Sequence, residues 1–182
     1  STFATVNKGS GTGDYVNRDG STYAGFFWKA GGSGSSNTAG SINTTATSVN
    51  TDAGFSLSTY TGTGSNATFG HGLSVAPDFV MIKERASDLG HWYVWMDAGT
   101  SGPTYFPPTK AMYMNEVSIP ATSDTYWNDT APTSTLISLG TNSDLNGDTQ
   151  TYVAFCFHSV DGYSKIGTYG GNENANGAFV YT

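Results

Sequence analysis

Charged side chains are scarce in this sequence, and most of those present are acidic. Only 12% of the 182 residues are charged, and seven basic residues stand against fourteen acidic ones, for a formal charge of −7. Nucleic acid and anionic membranes attract clusters of Lys and Arg. A stretch of about 18 apolar residues, the length that spans a bilayer, is also missing. The sequence therefore predicts neither a nucleic-acid partner nor membrane insertion.

Cysteine is almost absent. Cys156 is the single cysteine, so an intrachain disulfide is excluded. It lies in an apolar run, residues 152–157, that also has aromatic and small side chains. Free cysteines in such surroundings behave as small hydrophobic residues. We therefore expect a buried side chain at this position and not a reactive thiol.

Groupings typical of catalysis are also sparse. The three histidines, His71, His91 and His158, are far apart in sequence, and no G-x-S-x-G nucleophile motif accompanies them. His71 stands between two glycines, which favours a solvated turn. The acidic residues show no spacing that suggests a pair of catalytic carboxylates. The sequence predicts a protein that is not an enzyme and that needs no cofactor.

A short acidic segment, residues 142–148, resembles the first half of a calcium-binding loop. The twelfth position of such a loop should be a bidentate Glu, and here it is Val153. The Asn-Gly pair at 146–147 lies between two apolar runs, which is typical of a β-hairpin turn. We therefore predict a hairpin and no metal site, with weak calcium binding near Asp144 and Asp148 as the alternative.

Aromatic residues and glycine are abundant, with 24 Gly, 11 Tyr, 10 Phe and 4 Trp. Aromatic residues and Thr favour strands, whereas Gly, Asn and Asp favour turns. Apolar positions at helical spacing are missing from every stretch of a dozen residues or so. The pattern predicts an all-β fold, a β-sandwich or jelly roll of short antiparallel strands. The strands are expected at residues 55–60, 78–83, 92–96, 110–115, 135–139 and 152–158.

Two blocks of sequence recur in the same order. Residues 22–28, TYAGFFW, match residues 151–157, TYVAFCF, and residues 54–62 match residues 162–170. Matches in one order indicate a tandem-repeat organisation, in which each pair of blocks forms equivalent pieces of a sheet.

The repeats also predict how the chain is divided. The sequence begins with neither an initiator Met nor a signal peptide, and residues 179–182 have the pattern of an interrupted strand. We therefore expect a longer polypeptide, or ends that pair with neighbouring subunits. The expected units are the end of a preceding β unit (1–30), a Gly/Ser/Thr-rich linker (31–50), a complete β-sandwich module (51–160), and the start of a following unit or an exchanged strand (161–182).

Five aromatic residues are candidates for a binding surface. Rings beside Asn and Asp side chains suit stacking against sugars or contacts between subunits. The alternative is that the rings fill the core, with Trp92 beside Val94 or Tyr93 beside Trp95. Because side chains alternate along a strand, one of those two sets must point away from the core. The candidates are Trp92, Trp95, Tyr105, Tyr126 and Trp127.

Part of the sequence resembles a known kind of module. Residues 54–83, with the strings GFS, TYTGTG, GHGL and APDFVMIK, look like a module in virion proteins of tailed phages, particularly marine ones. Residues 127–134, WNDTAPTS, together with 152–157 and 162–169, extend the match. The resemblance covers most of residues 15–182 and is specific as a set.

The resemblance implies a virion structural protein of a phage fibre, tail or capsid surface, found at the surface of the extracellular particle. Its expected partners are copies of itself, as a homo-oligomer, and other virion proteins. The family offers no catalytic motif to transfer. The alternative function is a carbohydrate-binding domain for host adhesion, with host surface glycans as partners. A glycan-degrading enzyme is the third hypothesis.

Overall fold

The structure is a computed structural model that describes residues 19–85, 90–97, 107–117, 122–169, 171, 173 and 175–177. Tyr105, one of the five candidate binding residues, lies outside the described residues. The expected interrupted strand at 179–182 lies outside them as well.

The described chain is mostly β. A six-stranded sheet has the order β1-β2-β8-β4-β5-β6, and a smaller sheet pairs β3 with β7. All pairs are antiparallel. No helix in the described residues has the length and apolar character that crossing a membrane requires. The elements are β1 (Ala46–Asn50), β2 (Phe55–Thr61), β3 (Ala67–Gly70), β4 (Phe79–Glu84), β5 (Trp92–Met96), β6 (Met112–Tyr113), β7 (Leu136–Leu139), α1 (Ser143–Asn146) and β8 (Thr151–Phe157).

Strand β8 shows why the sequence forms this sheet. Tyr152, Ala154 and Cys156 are fully buried, and the residues between them are half-buried, as the two-residue period of a strand requires. The prediction of a buried Cys156 is confirmed. Burial raises the pKa of its thiol to about 12, so the thiol stays protonated at neutral pH.

The core lies between the two sheets. The ring of Tyr60 on β2 stacks on Phe69 of β3 at 4.7 Å and on Tyr152 of β8 at 5.1 Å. Ile137 and Leu139 of β7 are buried in the same cluster. The small sheet therefore covers the face of the large sheet that carries Tyr60 and Tyr152.

The predicted hairpin at the Asn-Gly pair is wrong, because α1 ends there. Asn142 caps this one-turn helix. Asn146 is fully buried, where Nδ2 donates to the carbonyl oxygens of Ser65 at 2.7 Å and Gly140 at 2.9 Å. Its Oδ1 accepts from the backbone N–H of Thr63 at 2.8 Å. The side chain therefore ties the β2–β3 loop to the segment between β7 and β8 from inside, a position that a solvated turn does not give.

The stretch predicted as a linker, residues 31–50, differs from that expectation because it packs on the large sheet. Its C-terminal part is β1, and Ser35 pairs with Thr47 through backbone bonds of 3.2 and 2.7 Å. The Thr47 hydroxyl lies 2.9 Å from that of Thr44 and 3.0 Å from that of Ser58 on β2. Threonine and serine hydroxyls thus satisfy one another beneath this edge of the sheet.

The matched sequence blocks have different structures. Residues 151–157 form β8, which pairs with β2 on one side and β4 on the other. Residues 22–28 form no strand. Residues 54–62 contain β2, whereas residues 162–169 contain no strand. The expectation of equivalent strands is therefore wrong for the described chain, because β8 already occupies the position between β2 and β4.

Candidate functional site

His71, expected in a solvated turn, is 0% exposed. Its Nε2 lies 3.1 Å from the carbonyl oxygen of Thr133, and its Nδ1 accepts from the backbone N–H of Leu73 at 3.2 Å. A neutral ring with its proton on Nε2 satisfies both contacts. Burial also lowers the pKa of His71. The expectation of a solvated side chain is wrong, and the histidine supports the fold as a neutral residue.

Three of the candidate aromatic residues lie in the hydrophobic core. Trp127 is 1% exposed, and its Nε1 donates to the carbonyl oxygen of Lys110 at 2.9 Å. Trp95 and Tyr126 are also buried. Rings with so little exposed surface do not present an open face for stacking. The core-filling alternative describes the setting of these three residues.

Trp92 is placed differently, because alternation along β5 separates it from the core. Tyr93 and Trp95 face the core, whereas Trp92 is half-buried on the opposite face. Its ring centroid lies 6.1 Å from that of Phe155 on β8. Of the four candidates in the described residues, Trp92 keeps the most accessible ring.

A cluster of tyrosines surrounds Asp144 at the end of the sheet near α1. The Tyr93 hydroxyl donates to Oδ2 of Asp144 at 3.0 Å and lies 3.4 Å from the hydroxyl of Tyr113. The ring of Tyr126 is 5.7 Å from that of Tyr93. Burial is the main cause that raises the pKa of both Tyr93 and Tyr126. Both phenols therefore act as hydrogen-bond donors near neutral pH.

Residues 142–148, the segment that resembles a calcium loop, take part in the same contacts. Asp144 accepts a hydrogen bond from Tyr93, and Asp148 is exposed to solvent. The described residues contain no group of three or more His, Cys, Asp or Glu side chains that could hold a metal ion. The chemistry around Asp144 is a set of hydrogen bonds that fixes α1 against β5.

A second set of aromatic residues is exposed. We call residues 22–28 the aromatic segment, and in it Phe26 and Phe27 are each 78% exposed, Trp28 is 53% exposed and Tyr23 is half exposed. Scattered single hydrophobic residues are normal on a protein surface, but contiguous apolar patches mark interaction sites. This segment is therefore the first candidate for a contact surface.

The aromatic segment forms one wall of a groove of about 700 Å³, which we call the aromatic groove. The second wall is the end of the large sheet, where Phe55 of β2 and Phe157 of β8 lie opposite each other. Tyr163 and Ser164 belong to the third wall, a turn held by backbone bonds to Val160.

Aromatic contacts fix the groove at the sheet end. The Trp28 ring meets that of Phe157 edge-on at 5.5 Å and lies 6.2 Å from that of Phe55. The rings of Phe55 and Phe157 are 4.8 Å apart. Such edge-on and tilted arrangements are the favoured ones for aromatic pairs. Trp28 is therefore anchored by two neighbouring strands while about half of its surface stays in solvent.

Polar groups line the groove beside these rings. Asn50 donates from Nδ2 to the carbonyl oxygen of Lys29 at 2.9 Å, which ties the aromatic segment to β1. Nδ1 of His158 lies 2.7 Å from the carbonyl oxygen of Ser159. Gly54 allows the close approach of β2 to β8 here, because it has a positive φ of 62° and a Cβ would lie 2.5 Å from the His158 carbonyl oxygen.

Sequence reasoning missed the groove because its walls are distant along the chain. One signal was present, namely three consecutive aromatic residues at 26–28. In a strand, alternation would keep at least one ring of such a run off the core face. Consecutive aromatic residues do not by themselves identify exposed rings, because the neighbours Tyr126 and Trp127 are both buried.

The described residues thus define a mostly β module with an aromatic groove at one end of its larger sheet. The chain belongs to the family described as "Domain of unknown function (DUF7483)", which it matches over residues 2–182. No curated protein and no solved structure matches it. Membership of this family assigns no activity to the chain. The virion function that the resemblance to tailed-phage proteins implies therefore stays a prediction.

Proposed function

We propose that this chain is a structural module of a virion surface protein, in a fibre, tail or capsid surface, that works through subunit contacts and not through catalysis. The observation that carries the proposal is the aromatic segment, which is exposed although its sequence resembles that of the central strand β8. The virion setting comes from the resemblance of residues 54–83 and 127–134 to phage proteins.

The likeness between the aromatic segment and β8 suggests how subunits meet. Tyr23 and Gly25 correspond to Tyr152 and Ala154, which both face the core from β8. A strand-like segment outside a sheet can add to the edge of another sheet through backbone hydrogen bonds. We infer that the aromatic segment becomes a strand when it pairs with a neighbouring copy of the chain.

The exposed rings supply the free energy for such pairing. Removing apolar surface from water contributes roughly 25 cal/mol per Å². Phe26 and Phe27 keep most of their surface in water in the single chain. Covering them in an assembly therefore stabilises the contact, and aromatic residues are common at the centres of interfaces.

The two sheets also allow a more specific description of the fold. The six-stranded and two-stranded sheets are interpreted as the two layers of a β-sandwich, with Tyr60 and Phe69 stacked between them. Tandem organisation then describes successive copies that pair through the aromatic segment, and not equivalent strands inside one chain.

The contacts of the histidines support a role without catalysis. His71 is buried and bonded to backbone groups, and His91 lies 3.2 Å from Glu116 through Nδ1. His158 contacts a carbonyl oxygen. A catalytic histidine would instead be oriented toward a nucleophile and a bound substrate.

Light scattering coupled to size-exclusion chromatography tests the assembly proposal on the full chain over a range of concentrations. The wild type is expected to be oligomeric, and a Tyr23→Ser/Phe26→Ser variant is expected to dissociate at least about tenfold more readily. Val75→Ser is the control, since Val75 is 51% exposed and lies outside the segment. A monomeric wild type at every concentration, or equal association of the double variant, would overturn the proposal.

Carbohydrate binding is the second candidate function, and the aromatic groove is the observation that favours it. Trp28 and Tyr163 are both exposed there, beside the polar side chains of Asn50 and Ser164. Exposed rings beside hydrogen-bonding groups are what a sugar needs for stacking and for its hydroxyls. The predicted candidates Trp95, Tyr126 and Trp127 lack that exposure.

A further inference from the structure

We propose that the aromatic groove binds an acidic glycan, with a sugar ring stacked on Trp28 and a carboxylate of the ligand near Lys29. This assignment rests on the second candidate function, carbohydrate binding, and adds to it the ligand class and the residues. It places binding away from the sequence-predicted aromatic residues on β5 and at 126–127.

The groove has the size and composition of a ligand site. Its volume of about 700 Å³ falls inside the range of roughly 300–1,000 Å³ that is usual for small-molecule pockets. Aromatic rings with a few polar groups are the usual lining of such pockets. The groove combines Trp28, Phe55 and Phe157 with Asn50 and His158.

Trp28 is a preorganised stacking surface. Phe55 and Phe157 contact its ring, the Phe26 ring lies nearly parallel to it at 6.3 Å, and Asn50 fixes the backbone next to it through the carbonyl oxygen of Lys29. A ring that is already positioned loses little conformational freedom when a ligand binds. Tyr163, 68% exposed, offers a second ring from the opposite turn.

The polar groups of the groove can bond sugar hydroxyls. Nδ1 of His158 contacts the Ser159 carbonyl oxygen, so Nε2 is the ring nitrogen left to bond a ligand. The Asn50 amide can form more hydrogen bonds than the two that it makes with Lys29 and Ala53. The Ser164 hydroxyl can act as donor or acceptor.

The charge of the groove selects an acidic ligand. The chain has twice as many acidic as basic residues. Among the described residues, the lining of the groove nevertheless contains the basic side chain of Lys29 and neither Asp nor Glu. Asp52 and Asp161 lie in the flanking turns but not in the lining. A carboxylated sugar would therefore pair with Lys29, a basic side chain on a chain of negative net charge.

Isothermal titration of the full chain with two hexasaccharides tests this proposal. Hexagalacturonate carries carboxylates, and maltohexaose is a neutral probe of the same length. We expect saturable binding of the acidic probe and at least about tenfold weaker binding of the neutral one, with affinity for the acidic probe falling as salt is raised.

Variants assign the binding to the groove. Trp28→Ala is expected to weaken binding of hexagalacturonate at least about tenfold, and Trp28→Phe to keep most of it. Lys29→Gln is expected to lower the affinity for hexagalacturonate about threefold or more and to leave the affinity for maltohexaose unchanged. Trp92→Ala is the matched control, a half-buried tryptophan outside the groove. If Trp28→Ala does not fold, Tyr163→Ala replaces it, because Tyr163 is largely exposed.

The outcomes separate the assignment from the function on which it rests. Equal, Trp28-dependent binding of both probes overturns the acidic ligand class and leaves carbohydrate binding in place. Binding that is lost in Trp92→Ala but kept in Trp28→Ala overturns the groove. The absence of binding by either probe to folded protein overturns both carbohydrate binding and the groove assignment, and leaves the assembly proposal to its own measurement.

Discussion

Two tryptophans, Trp127 and Trp28, show how differently the same residue type is used in this molecule. Trp127 is enclosed in the core and satisfies its indole N–H with the carbonyl oxygen of Lys110. Trp28 rests on two phenylalanine rings at the sheet end and keeps about half of its surface in water. An abundance of aromatic residues therefore does not locate a binding site, whereas the burial of each ring does.

The backbone around each tryptophan explains the difference. Trp127 is followed by Asn128 and Asp129, both at positive φ, in a turn closed by a bond from the Asn128 N–H to the Asp124 carbonyl oxygen. That turn directs the ring inward. Trp28 ends a run of three aromatic residues. The core therefore contains rings that strands and turns direct inward, whereas Trp28 lies outside it, against two rings at the end of the sheet.

Replacing the two tryptophans should give the largest contrast. Trp127→Ala is expected to lower the free energy of unfolding by about 3–5 kcal/mol, because it opens a cavity and leaves a carbonyl group unpaired. Trp28→Ala is expected to lower it by about 1 kcal/mol or less. Urea unfolding followed by circular dichroism measures both. An equal loss of unfolding free energy in the two variants would contradict the assignment of Trp127 to the core and Trp28 to the groove.

Asn146 extends the comparison to buried polar groups. Asn146→Ala should lower the free energy of unfolding by about 2–4 kcal/mol, since backbone groups of Thr63, Ser65 and Gly140 lose their hydrogen bonds to the buried amide. Asn66→Ala is the matched control, because Asn66 makes one exposed bond, to Asn128, and a loss of about 0.5 kcal/mol or less is expected. A small effect at Asn146 would show that the loops do not depend on it.

His71 predicts a loss of stability in acid. Its pKa is lowered in the folded state from an ordinary value of about 6.5. The unfolded chain therefore binds more protons below that pH, so the stabilisation is complete above about pH 6.5 and falls as the pH drops toward the folded-state pKa. Thermal unfolding between pH 7.5 and about pH 5 measures the slope.

The control for this slope is His91, a histidine that is only half-buried. His71→Gln should flatten the acid dependence, whereas His91→Gln, at a position whose side chain is 28% exposed, should keep it. If both variants retain the wild-type slope, the buried neutral state of His71 does not govern acid stability.

The reactivity of Cys156 tests whether the core is closed to solvent, and it is the smallest of the expected effects. Because burial raises the pKa of the thiol to about 12, the folded protein should react with a thiol reagent at pH 8 far more slowly than the unfolded chain. A Ser33→Cys variant adds an exposed thiol and should react at once. Rapid reaction of Cys156 in the native protein would indicate that the sheet opens locally.

The sequence alone predicts the strands whose side chains alternate clearly. Five strands, β2, β4, β5, β7 and β8, lie within one residue of the expected positions, because apolar residues mark them clearly in the sequence. Strand β1 lies in a Thr-rich stretch where polar hydroxyls are buried, and β3 has a single large apolar residue, Phe69. Composition does not reveal strands whose burial depends on tertiary contacts.

The candidate site was harder to predict for a related reason. Trp92, Trp95, Tyr126 and Trp127 are close in sequence, but strand alternation and turns send three of them into the core. The groove depends on Phe55 and Phe157 lying opposite each other, a register set by pairing over a hundred residues of intervening chain. A single sequence does not report such a register.

The division between core and groove tryptophans can be observed in one experiment. A two-dimensional ¹H–¹⁵N spectrum of the labelled protein resolves the indole N–H groups of all four tryptophans while hexagalacturonate is added. The account predicts that the Trp28 signal shifts with saturation and that the signals of Trp95 and Trp127 stay fixed. A titration in which the Trp28 signal does not move, whatever the others do, would contradict it.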